Sequence, residues 1–230
     1  MFMAKMMMRI TYRTVNTTRP RRWHGGPARA NPAVEAMVGG FGMGRRWPLL
    51  LGIVTGLAAV LAGLWTGADA ADQWSRAARW TARVGLPIFL ITYLASSLVR
   101  LWPRPTTRAI AQSRRWWGLG FAACHTVHLY ALIRALEASG EQRTLASLIP
   151  GGTAYLVIAA MTLTSNDAAM RALGRNWKRL HTLGIHYIWL IFTLAYAGRL
   201  SDPARLPEAI YGVALCLAAL AIRLMARRRA

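Results

Sequence analysis

Predominantly apolar runs recur along the chain at 48–66, 84–102, 116–136, 146–164, 180–198 and 207–226. Each is close to the ~20 residues a helix needs to cross a bilayer. The second and sixth runs are nearly free of charge, the third ends near Arg134, and the fifth begins beside Lys178 and Arg179. Lipid offers the backbone no hydrogen bonds, so each run is expected to be a helix, and none alternates polar and apolar residues as a barrel strand does. The pattern therefore predicts an all-α integral membrane protein, a six-transmembrane-helix bundle. Short connections make consecutive helices antiparallel, so the third and fifth run in the same direction. Residues 1–46 differ: they are rich in Arg, Gly and Pro and show neither apolar periodicity nor a signal-peptide pattern. They read as a disordered basic cytoplasmic tail, or as sequence upstream of a true start at Met37 or Met43. Residues 47–230 form the membrane domain.

Charge changes the picture next. A net charge of +21 over 230 residues raises the question of nucleic acid. Its distribution answers otherwise. With the N-terminus placed in the cytoplasm, 22 of the 29 Lys and Arg fall on the inner side, while six of the eight acidic residues fall outside. That bias obeys the positive-inside rule, so both termini are expected to be cytoplasmic. The expected contact is membrane lipid, with no nucleic acid. Cys124 and Cys216 both lie in apolar runs and no CxxCH motif is present, so they read as buried small hydrophobes and any haem would be held without covalent attachment. Trp47, Trp65, Trp74, Trp80, Trp102, Trp116, Trp117 and Trp177 lie near run boundaries and read as interfacial anchors. Pro87 and Pro103 read as a first-turn residue and a stop at the two ends of the second run.

The candidate chemistry lies in four of the five histidines. His125 and His128 are in the third run, His181 and His186 in the fifth; His24 is in the tail. Ring nitrogens at membrane depth need a partner, and a haem iron supplies one for several imidazoles at once. His125 and His128 share a helix face, whereas His181 and His186 are separated by roughly 140° around theirs. Counting from Arg115 and Lys178 at 1.5 Å per residue puts His125 and His186 at the most similar depth, on the order of 12–15 Å. The alternative for any one of these histidines is a hydrogen bond to a neighbouring helix. Arg134, Arg179 and Lys178 are the cations placed to meet haem propionates near the membrane edges, although Arg134 reads equally well as snorkelling to headgroups.

Three stretches carry a family resemblance: Arg114-Arg115-Trp116-Trp117-Gly118-Leu119 with His128; Gly85 to Trp102 with Ser97-Leu98-Val99-Arg100; and Leu163-Thr164-Ser165 with Trp177-Lys178-Arg179-Leu180-His181. Over about residues 45–228 the chain resembles the ferric-reductase-like transmembrane family and, within it, the haem-binding membrane subunits of bacterial periplasmic methionine-sulfoxide reductase systems. The resemblance implies that His128 and His181 are haem-iron ligands and that the cofactor is haem b, one or two per chain. It also implies a further histidine about a dozen residues beyond His181, where this chain has Thr193, Leu194 and Ala195. His186 is the candidate to replace it, paired with His125 or His128.

These readings combine into a membrane cytochrome b that passes single electrons across the bilayer, with two histidines per iron and no open coordination position. No GxGxxG fingerprint or soluble flavin domain is present, so flavin would enter only through a partner. The resemblance implies a cytosolic flavin reductase or quinone as electron donor and a periplasmic reductase subunit as acceptor, with catalysis in the partner. Two alternatives stand beside it. One is a stand-alone ferric or quinone reductase-like cytochrome, the other a histidine-lined metal or solute transporter, although no Asp or Glu lies at mid-span to build a polar path.

Overall fold

A computed structural model describes residues 46–229, all of whose regular elements are helices. The expected tail at 1–46, with His24, therefore lies outside the described residues, apart from Arg46. The chain runs α1 (Trp47–Thr66), α2 (Ala70–Leu101), α3 (Pro105–Gln112), α4 (Arg114–Ser139), α5 (Leu145–Leu163), α6 (Asp167–Leu173), α7 (Arg175–Ala197) and α8 (Leu206–Arg228). Six of these, all but the short connecting helices α3 and α6, are long and apolar enough to span a membrane. Their outward faces carry exposed Leu50, Val54, Leu57 and Leu61 on α1, Leu156 and Leu163 on α5, and Leu183 and Leu190 on α7. Such faces are solvated by acyl chains.

The second helix departs from its predicted start at 84. It begins at Ala70, where Asp69 caps it by accepting from the Asp72 N–H at 2.9 Å and Asp72 pairs with Arg76 one turn on at 2.7 Å. Residues 70–83 are too charged to register as apolar, yet they are rich in Ala and Arg, which favour a helix. At 32 residues α2 is about 48 Å long and projects beyond a ~30 Å hydrocarbon core. Pro87 is consequently interior rather than first-turn, and the Arg83 carbonyl loses its usual intrahelical donor.

Helices α1, α2 and α4 form a closely packed trio. The reason is a stripe of small residues, Gly52, Gly56, Ala59 and Gly63, buried along one face of α1. A Cβ on Gly52 would overlap the Gly120 carbonyl, one on Gly63 would overlap the Ala77 backbone, and one on Gly56 would sit 3.3 Å from the Cys124 Cα. Backbones this close gain dispersion contacts that lipid cannot supply, which is how membrane helices associate. Cys124 and Cys216 are both buried and unbridged. Helices α5, α7 and α8 join more loosely, through α5 on α7, α7 on α8 and α8 on α2. Helices α4 and α7 scarcely pack directly, and this separation opens the space in which the site lies.

Candidate functional site

Two cavities lie along the gap between α4 and α7. The first, of about 640 Å³, is lined at one end of the bundle by Arg114, Arg115, Lys178, Arg223 and Asp167. The second, of about 480 Å³, is lined by Arg79, Arg143, Arg199, Arg205 and Glu141. The first takes its residues from the starts of α4 and α7, the second from their far ends, so these helices are parallel, as their connections predict. Ile158 and Ile188 line both cavities, which therefore meet back to back. An aromatic cluster fills the boundary: Phe89 lies 5.1 Å from Phe121 and 5.4 Å from Phe192, centroid to centroid.

The four histidines divide among three places. His125 and His128 line the second cavity, with ring centroids 5.4 Å apart. His181 lines the first. His186 lines neither; its Nδ1 is 3.2 Å from the Tyr93 hydroxyl and its Nε2 is 3.4 Å from Arg227. A guanidinium only donates, so Nε2 accepts from Arg227 and Nδ1–H donates to Tyr93. Both nitrogens of His186 are thus engaged, and the ring is not brought to His125 or His128.

His128 is held differently. The buried Thr81 hydroxyl donates its one proton to the Ala77 carbonyl at 2.8 Å, so His128 donates Nδ1–H to the Thr81 oxygen at 2.9 Å. This fixes the tautomer and leaves the Nε2 lone pair of a cavity-lining imidazole for a ligand. His181 shows the mirror arrangement. Thr164 donates to Ala160 at 2.7 Å, His181 donates Nε2–H to Thr164 at 3.1 Å, and the ring stacks on Trp177 at 4.2 Å.

His125 is buried, packs on Phe121 at 4.2 Å, and has an Nδ1 with no hydrogen-bond partner. Leaving such a nitrogen unpaired costs about 1–3 kcal/mol. Room for this ring exists only because residue 85 is glycine: a Cβ there would lie 2.5 Å from Cε1 and 2.9 Å from Nδ1 of His125.

Of the three cations singled out from sequence, only Lys178 lines a cavity. Arg134 pairs with Glu137 at 2.7 Å beneath Trp74, and Arg179 is exposed. The cations at the second cavity are instead Arg79, Arg143, Arg199 and Arg205, of which Arg199 also pairs with Glu208 at 3.4 Å. Trp117 and Trp177 likewise depart from the anchoring role: Trp117 is buried against Trp47, and Trp177 donates to the Thr164 carbonyl at 2.8 Å. Thr81 precedes the second apolar run and Gly85 lies at its edge, so depth along the sequence assigns neither a place beside the histidines. The signal that could have found Thr81 is its helical continuity with that run.

The donor set suits the iron of a flat, largely apolar macrocycle better than a bare cation. His125 and His128 both line an apolar cavity edged by arginines, each with a ring nitrogen that has no protein partner, and among the described residues no group of three or more His, Cys, Asp or Glu side chains is placed to hold an ion. Comparison with known proteins agrees. The chain is 32% identical over 173 residues to the protein-methionine-sulfoxide reductase heme-binding subunit MsrQ of Salmonella paratyphi B, spanning 68% of this chain and 79% of that protein. The proteins of the same name from Salmonella newport and Salmonella heidelberg match to the same extent. No family model and no solved structure matches.

Proposed function

The chain belongs to the family of haem-binding membrane subunits of protein-methionine-sulfoxide reductase, and from that premise we propose that it is a membrane cytochrome b carrying single electrons across the bacterial inner membrane to a periplasmic reductase. Reduction of methionine sulfoxide belongs to that partner. The observation that carries the reading is His128: an imidazole at membrane depth, its Nδ1–H fixed by Thr81 and its other nitrogen free toward a cavity. Haem b, when bound, supplies a one-electron ferric/ferrous couple.

The chain's own residues do the rest. His128 is the protein ligand in the second cavity, and Thr81 orients it and raises its basicity. Arg79, Arg199 and Arg205 give that cavity cations for carboxylates at its mouth. Phe89, Phe121 and Phe192 exclude water between the two cavities, so charge held in one is not screened from the other by solvent. The first cavity, rimmed by Arg114, Arg115, Lys178 and Arg223, faces the electron donor, a quinone or a flavin reductase whose flavin stays with that partner. The basic starts of α4 and α7 and the basic end of α8 support a cytoplasmic assignment for this side by the positive-inside rule.

The test is spectroscopic and functional together. Detergent-purified protein is expected to give a reduced-minus-oxidised spectrum of the b type, and the reduced form is expected to be reoxidised by a periplasmic sulfoxide reductase only when sulfoxide is supplied. Protein with no reducible haem absorbance would refute the proposal.

A further inference from the structure

The second cavity has imidazoles on one wall only. His125 and His128 come from α4, while the facing stretch of α7 contributes Ile188, Ile191, Phe192, Ala195 and Tyr196. Register fixes which residue lies across from which. His125 meets Phe192 at 5.4 Å, the two helices are parallel, and three residues further along each lie His128 and Ala195. Ala195 is a methyl group where a side chain reaching toward His128 would have to start.

Its neighbours do not fill the position. Tyr196 is buried with its ring beneath Arg199 at 5.4 Å and pressed against Gly212 of α8, where a Cβ would overlap it. Phe192 has no donor atom. His186 is committed to Tyr93 and Arg227. His125 cannot take the opposite face of an iron held by His128, because the two rings stand on the same side of one helix. Tyr155 of α5 is the remaining polar ring at this end, 6.4 Å from both imidazoles. A phenol ligates as its anion, which ferric iron accepts and ferrous iron does not favour.

We infer that haem iron held by His128 keeps an open coordination position on the side of Ala195, able to take a small neutral diatomic ligand in the ferrous state or cyanide in the ferric state. The inference rests on the haem-binding reading above. It changes the character of the site from a sealed bis-imidazole carrier to one whose iron can bind an external ligand.

Carbon monoxide is the probe. Full-length protein in detergent, reduced with dithionite, is expected to shift its haem absorbance on addition of carbon monoxide, and the oxidised form is expected to shift with cyanide. Ala195→His, and as a second variant Ala195→Met, places a ligating side chain at the open position and is expected to abolish both shifts at unchanged haem content. Haem-loaded wild-type protein that ignores both ligands would overturn the inference while leaving the cytochrome reading intact. Shifts that persist unchanged in haem-loaded Ala195→His and Ala195→Met would also overturn it, because the open position would then lie elsewhere. Wild-type protein that binds no haem would overturn the cytochrome reading and the inference with it.

Discussion

Replacing Thr81 by valine probes the support of His128 while leaving the shape of the side chain almost unchanged. Thr81 is fully buried, and its oxygen is the acceptor, at 2.9 Å, for His128 Nδ1–H. Valine fills the same space but leaves that N–H without a partner in a low-dielectric interior, at a cost of about 1–3 kcal/mol. The cost is felt where the ring must stand still to hold a metal. At 1.4 kcal/mol per tenfold it corresponds to a loss of haem affinity of roughly 5–150-fold, in the range of about 10–100-fold typical for the loss of an outer-shell partner of a ligating histidine. The assay is transfer of haem from purified protein to excess apomyoglobin, followed optically and compared with Thr81→Ser, which keeps the hydroxyl. Faster transfer from Thr81→Val than from wild type, with Thr81→Ser close to wild type, is expected. Equal transfer rates for all three proteins would refute the assignment of His128 as the ligand that Thr81 orients.

Other consequences can be checked alongside. Gly85→Ala drives a methyl to 2.5 Å from His125 Cε1, so it is expected to destabilise the protein by about 1–3 kcal/mol and to lower haem occupancy, read by thermal melting in detergent and by haem content. Glu208→Gln weakens the join between α2 and α8, where Glu208 holds Arg83 at 2.5 Å and Arg199 at 3.4 Å; a loss of about 1 kcal/mol in melting experiments is expected, with haem content unchanged. Reporter fusions at the C-terminus are expected to report a cytoplasmic location, and a fusion in the connection between α4 and α5 a periplasmic one.

The apolar runs located all six spanning helices because burial in lipid leaves a signal in composition that no tertiary detail can erase. Their ends were less legible. Helix α2 starts fourteen residues before its apolar run because capping by Asp69 and the Asp72–Arg76 pair extend a helix through polar sequence, where hydropathy is blind. The same blindness hid Thr81. The histidines could be recognised one by one, but their grouping depends on which way each ring leans. His186 matches His125 in depth and still turns to Tyr93 and Arg227, since position around the helix, rather than along it, decides its neighbours. The cations show a related effect: Arg134 lies near the right depth but is drawn to Glu137 and Trp74, while Arg199 and Arg205, in the connection between α7 and α8, edge the cavity. Ala195 was visible in sequence only as one of three residues, with Thr193 and Leu194, where the resemblance implies a histidine; that it faces His128 follows from the 5.4 Å approach of His125 to Phe192.

The claim on which the account turns is that His128 grips haem in the cavity between α4 and α7. Haem content and the reduced-minus-oxidised spectrum of purified His128→Ala, set against His186→Ala, measure it directly. The account predicts that His128→Ala loses the b-type haem of the second cavity while His186→Ala keeps it; full haem retention in His128→Ala, or loss in His186→Ala alone, would contradict it.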